Sequence, residues 1–238
     1  MTTREYHRAE WQKLKGQPLK AKLAHIFTYY RYPILAAVIL VAMVISLAVS
    51  IGSQKENGFQ AYLIGAVARK ENTDAFLEDF AKIAGINTDT HSVSITPGGL
   101  VSEDGRDENS MVNAQTVAVK TAAGEIDVLG APLDRFLGYA YNEYFTDLSQ
   151  LFTDQQLESW GARLIYIDAA LLKLEELTSL PDATDPSKMA SPMAVGLLFS
   201  ADSPLSDYCM LPRDGLVLGI LCNAPNPEVA TLFLQYCS

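Results

Sequence analysis

Few residues beyond position 58 are of types that could do chemistry, and they are scattered. The one histidine there, His91, falls inside an alternating run, residues 91–96, HSVSIT. An imidazole acts as a general base only when a second group orients it. The neighbouring sequence offers none, so His91 reads as a histidine of the core or of a sheet edge. One histidine also excludes a multi-histidine metal site. Glu103, Asp104, Asp107 and Glu108 crowd the segment SEDGRDENS. Carboxylates can hold Ca²⁺, but the alternating acid spacing of a calcium loop is missing, so a solvated loop tip is expected. Asp127 lies within an apolar strand pattern and reads as a structural carboxylate. Cys209, Cys222 and Cys237 make no CxxC pair. That spacing points to neither a zinc ribbon nor a thioredoxin-type centre, and free cysteines of this kind behave as small buried apolar residues. No GxSxG, P-loop or GxGxxG segment occurs. The expectation is a non-enzymatic chain with no catalytic residues, no metal and no cofactor.

Binding positions follow from the elements that would carry them. Residues 59–67, 91–96, 126–130, 163–168, 194–199 and 216–221 are apolar or alternating runs that predict strands. Between them, amphipathic stretches predict helices to about residue 84, over 109–123, from Pro132, over 153–160, over 169–179 and from Asn226 to about 237. Gly85 is placed as a helix-ending residue. The alternation of strand and helix through the first three strands predicts an α/β domain, its sheet mainly parallel and covered by helices. Ligands of such sheets bind beyond the carboxyl ends of the strands, close to helix N-termini. Here those places are residues 68–73, 97–99 and 131–134. The candidate ligand-binding residues are therefore Arg69, Thr73, Thr96, Gly98 and Asp134. Tyr166 joins them as an aromatic that could line a pocket formed with residues 163–212.

Ahead of this domain, residues 33–51 run PILAAVILVAMVISLAVSI without a charge. As a helix those 19 residues would be about 28 Å long, close to the roughly 30 Å hydrocarbon core of a bilayer. Pro33 and Ile51 bound the expected membrane anchor, read as uncleaved although Ala48-Val49-Ser50 is like a cleavage site. Charge is divided around it. Residues 1–32 carry seven basic against two acidic side chains, +5, and the rest carries eleven against 26, −15, within a net charge of −10. Basic residues beside a span hold that end in the cytoplasm. The N-terminus is expected inside and the acidic domain outside, with the lipid bilayer as partner of residues 33–51. Leu19, Leu23, Ile26, Phe27 and Tyr30 share one helical face, which predicts an amphipathic helix at the headgroup layer. Residues 52–58 form a short stalk. An acidic domain is also a poor partner for nucleic acid.

The segment GEIDVLGAPLDRFLGYAYNEYFTDLSQLFTDQQLES, with its turn Phe145, Thr146, Asp147, Leu148, Ser149, resembles the middle of extracellular solute-binding proteins. The last helix, with Asn226, Pro227 and Glu228 followed by Phe233 and Leu234, is similar to the closing helix of that family. The basic, tyrosine-rich head resembles the start of single-span membrane proteins of Gram-positive bacteria. The resemblance implies a reduced, membrane-anchored lobe of the periplasmic-binding-protein type that captures a small solute or short peptide. This chain departs from the family in two ways. Residues 163–212 are few for a second lobe, and a membrane helix stands in place of the usual lipid-anchor cysteine. The alternative is an accessory or interaction subunit of a membrane or cell-envelope complex that has lost the cleft.

Overall fold

The computed structural model describes residues 31–52, 55–69, 73–102, 106–173 and 182–238. The chain divides into two compact units, Met1–Gln54 and Lys55–Ser238. In the first, α1 spans Arg31–Gly52, 22 residues. Pro33 lies in its first turn, where a missing N–H is tolerated, and Ile51 lies near its end. Side chains are described from Tyr32 to Leu47, a shorter run. Among the described residues no helix is long and apolar enough to cross a membrane. The expected headgroup helix of residues 19–30 lies outside the described residues.

The second unit is built on a six-stranded sheet. Its strands are β1 (Glu56–Leu63), β3 (His91–Pro97), β4 (Val128–Ala131), β5 (Leu164–Asp168), β6 (Pro192–Phe199) and β8 (Leu216–Ile220), in the order β3-β1-β4-β8-β6-β5. Two short strands, β2 (Val67–Ala68) and β7 (Cys209–Met210), form a separate antiparallel pair. The helices are α2 (Thr73–Ile83), α3 (Glu108–Ala122), α4 (Leu133–Ala140), α5 (Asp154–Trp160), α6 (Leu205–Tyr208) and α7 (Pro227–Cys237).

The sheet corrects the expectation of a mainly parallel one. β1 pairs in parallel with β3 and β4. β8 is antiparallel to both β4 and β6, and β5 is antiparallel to β6. Two of five pairings are parallel, and the sheet is mixed. The apolar runs could not disclose this. A strand buried on both faces reads as a continuous hydrophobic run whichever way it points, and every residue of β4 and β8 is buried.

Alternation along the strands divides the core into two layers, as a period of two requires. Phe59, Ala61 and Leu63 of β1 join α2, α5, α6 and α7 in one apolar cluster. Tyr62 of β1 and Leu129 of β4 join α3 and α4 in the other. In the first layer Phe59, Phe80 and Phe233 pack with ring centroids 4.7 to 5.1 Å apart. In the second, Phe136 stacks on Phe145 at 4.2 Å. Gly196 and Gly219 leave the space for that ring, since a Cβ on either would come within 2.6 to 2.9 Å of Phe136 Cζ.

Local signals fix the helix starts. The Asp107 carboxylate accepts from the Ser110 N–H at 3.0 Å and caps α3. Asp107 is thus a built cap and not part of a solvated tip, while Glu103, Asp104 and Gly105 lie outside the described residues. Thr153 and Gln156 form a capping box at α5. Of the expected helix over 169–179, the described part is a 3₁₀ turn, Ala169–Lys173, and residues 174–181 lie outside the described residues. Asp127 is the structural carboxylate expected. It accepts from Gln60 N at 2.8 Å and Asn226 N at 2.6 Å, joining β1 and β4 to the start of α7. Burial raises its pKa above the usual carboxylate value.

Candidate functional site

The carboxyl ends of β1, β3 and β4 lie side by side, and among the described residues the chain crosses itself there. The segment after β1 crosses the segment after β3. Gly98 N donates to Leu63 O at 2.7 Å, Gly99 N to Ala66 O at 2.9 Å and Gly65 N to Gly99 O at 3.1 Å. Gly65 has φ +83° and Gly99 φ +77°, left-handed values that favour glycine. Asn113 of α3 clamps the crossing. Its Nδ2 donates to Gly98 O at 3.0 Å and to Asn109 O at 2.7 Å, and its Oδ1 accepts from the Tyr62 hydroxyl at 2.6 Å. A Cβ on Gly98 would lie 2.3 Å from Asn113 Oδ1.

A second strap lies beside the first. β2 and β7 pair Val67 with Met210 and Ala68 with Cys209. The Tyr208 hydroxyl donates to Ile95 O at 2.8 Å. On the α4 side, Arg135 Nη2 donates to Ser102 O at 2.6 Å and to Ser110 Oγ at 3.0 Å. Asp107 accepts from Ser102 N and Oγ at 2.9 and 2.6 Å. Hydrogen bonds from Ser102, then from Ser110, hold the Asp107 carboxyl well below the usual carboxylate range. The loop ends are therefore fastened by a connected polar network whose donors and acceptors serve one another.

The expected site residues do not converge into one site. Arg69 gives its backbone N–H to Tyr208 O, and its side chain is exposed. Thr73 opens α2, and its side chain lies outside the described residues. Thr96 is half-buried in β3 opposite Tyr62. Gly98 is enclosed in the crossing, and Asp134 is exposed in the first turn of α4. These positions share one end of the sheet. Tyr166 does not belong with them. β5 is four strands from β1, about 19 Å at strand spacing, and Tyr166 pairs with Ala194 in the N-terminal half of β6. The strand order sets it apart from the other expected site residues.

Tyr166 instead borders an open groove of about 460 Å³ against α5, lined with Asp154, Leu157, Glu158, Leu164 and Pro186 among others. Asp154 and Glu158 are exposed, Leu164 is buried and Tyr166 half-buried. Burial raises the Tyr166 phenol pKa. The i, i+4 spacing of Asp154 and Glu158 on the expected helix over 153–160 is the sequence signal that places them on one face. Asn113 gave only a faint signal, an amide inside a helix where it has low propensity.

His91 lies at the other end of the sheet. Its Nδ1 is 2.8 Å from Thr90 Oγ1 and its Nε2 is 3.5 Å from Glu56. Among the described residues no group of three His, Cys, Asp or Glu side chains could hold a metal ion. No protein-family model matches the chain, and no curated protein and no solved structure matches it.

Proposed function

We propose that the chain is a single-span membrane protein whose acidic α/β domain stands outside the membrane as a non-catalytic interaction or accessory subunit of a membrane or cell-envelope complex. The carrying observation is the crossing of the segments after β1 and β3 at the carboxyl end of the sheet. The role implied by the resemblance, capture of a solute beyond the strand ends, needs space that the crossing of residues 64–66 with residues 98–99 takes up. Beside that crossing Leu100 is 70% exposed, and Met111 and Met210 are more than half exposed. Apolar side chains open to solvent beside that crossing are what a contact surface presents.

The membrane assignment rests on the uncharged run 33–51, the basic head and the acidic body. It is supported by the exposure of apolar side chains along α1. Val38, Leu40, Met43 and Leu47 are each more than half exposed, a surface that hydrocarbon covers and water does not favour.

The test uses the full chain. A photo-crosslinking amino acid in place of Leu100 in the native membrane should give one defined protein adduct. In parallel, the chain in nonionic micelles is screened by thermal shift against amino acids, short peptides, sugars and anions. A ligand at 100 times its dissociation constant adds about 2.7 kcal/mol of stability. A solute that produces such a shift at the strand ends, with no adduct from position 100, overturns the proposal in favour of solute capture.

A further inference from the structure

The solvent side of α3 carries no charge along its middle. Between Glu108 and Lys120, residues 109–119 run NSMVNAQTVAV. Ser110, Asn113 and Val117 face inward and are buried. At 3.6 residues per turn the opposite side holds Met111, Val112, Gln115, Ala118 and Val119. All five are exposed, Met111 by 61%, Val112 by 53% and Val119 by 63%. Lys120 pairs with Glu125 at 3.2 Å. A helix at a protein surface ordinarily turns charged residues outward. α3 does not, although residues 33–238 hold 26 acidic and 11 basic side chains. Both of its sides have the composition of a covered helix, and the domain covers one.

We propose that this face pairs with the same face of a second copy of the chain, the two α3 helices running antiparallel about a two-fold axis at Gln115. Gln115 commits the occupant. It is the polar side chain at the centre of the face, and its amide both donates and accepts. An apolar partner would leave that amide without a partner. A second Gln115 across the axis satisfies it, each donating to the other. Such self-complementarity is what a closed two-fold contact requires. The rest of the face agrees with it. With Gln115 on the axis, Met111 of one copy lies against Val119 of the other, and Val112 against Ala118, so larger side chains oppose smaller ones. Charge agrees as well. Glu108 falls opposite Ala122, and the two Glu108 residues stand about 21 Å apart along the helices, beyond the screening length of about 8 Å at physiological ionic strength. Parallel pairing would set Glu108 against Glu108. The contact is one helix wide, small beside the roughly 800 Å² per partner of a standard interface. It is therefore expected to be weak in free solution and stronger where a shared bilayer raises the effective concentration. The inference rests on the interaction reading above and names the partner of one face.

The experiment uses the full chain in its native membrane. Gln115→Cys is made with Cys222→Ser, so that the one exposed thiol lies on the proposed axis. Copper phenanthroline, the oxidant, should join two chains into a disulfide-linked dimer of twice the chain mass. The yield should be at least about tenfold that of Asp202→Cys in the same Cys222→Ser background, an exposed position elsewhere. Added to the axis cysteine, Met111→Asp alone and Val119→Lys alone should each lower the yield at least about fivefold. Together they should restore it to within about threefold, because antiparallel pairing sets each introduced carboxylate against an introduced ammonium. All variants should unfold at similar temperatures, since the altered side chains are exposed. A yield no greater than that of the control position overturns the proposal, and so does failure of the combined variant to recover. A disulfide to a chain of another mass also overturns it, since the partner of the face would then be a different protein. Failure of the dimer with an intact adduct to another protein from position 100 leaves the interaction role standing. A solute shift at the strand ends removes that role and leaves the pairing of α3 to be read from its own cross-link.

Discussion

The Tyr62 hydroxyl donates to Asn113 Oδ1 across 2.6 Å, joining β1 to α3 over 51 positions of sequence in the buried layer beneath the crossed loops. This bond orients the Asn113 amide so that its Nδ2 faces the Gly98 carbonyl. Tyr62→Phe leaves a buried acceptor unsatisfied and should cost about 1–3 kcal/mol of stability. Gly98→Ala drives a Cβ into the same amide and should cost about 1–3 kcal/mol by overpacking. The two sites share Asn113, so Gly98→Ala should cost less in an Asn113→Ala background than in the parent chain. Urea unfolding of the four variants measures the coupling, and strict additivity would show that Asn113 does not hold the crossing.

Asp168 makes a pH-dependent contribution. Its carboxylate accepts from the backbone N–H of Ala190 at 2.8 Å, Ser191 at 2.9 Å and Ala170 at 3.1 Å. The bond from Ala190, then those from Ser191 and Ala170, lower its pKa, and Asp107 is lowered in the same direction by Ser102 and Ser110. The folded pKa lies below the unfolded value of about 3.9. The stabilisation is therefore present above about pH 4 and lost as pH falls through the folded pKa. Asp168→Asn should flatten the decline in unfolding midpoint between about pH 4 and pH 2. A decline as steep as that of the parent chain would place the sensitivity in other groups. Asp127, whose pKa burial raises, acts in the opposite sense.

Glu143 is the one described residue other than glycine with positive φ, at 60°. It follows α4 and is exposed. Glycine takes this conformation without a Cβ penalty. Glu143→Gly should raise stability by about 0.5–1 kcal/mol, read as a higher melting temperature. A lower one would show that the side chain has a stabilising role there.

Topology can be read from the cysteines. Cys222 is exposed, while Cys209 and Cys237 are buried. Burial pushes the Cys209 thiol up to about 12 and raises Cys237 well above the usual thiol value, so neither is a ready nucleophile. A membrane-impermeant maleimide added to intact cells should label the chain once, at Cys222, with the label lost in Cys222→Ser. Labelling only after lysis would place the domain on the inner side.

The amino-acid sequence by itself determined the six strands of the main sheet and most helix ends, although it carried the first strand on through the turn at 64–66 and did not show the short β2–β7 pair. Strand runs are set by local hydrophobic pattern, and helix ends by residues that satisfy the first N–H groups, as Thr153 with Gln156 does for α5. It determined the division of charge around an uncharged 19-residue run, and the structural role of Asp127, which lies immediately before β4 and not inside the strand. Tertiary structure alone decided the direction of β8, because burial on both faces erases the pattern that would reveal it. It decided that Tyr166 stands four strands from β1, since strand order depends on how connections pack and not on local composition. It also decided that the segments after β1 and β3 cross at the carboxyl ends of those strands. That crossing depends on hydrogen bonds between Gly98 and Leu63, and between Tyr62 and Asn113, whose partners are distant in sequence and leave no local trace.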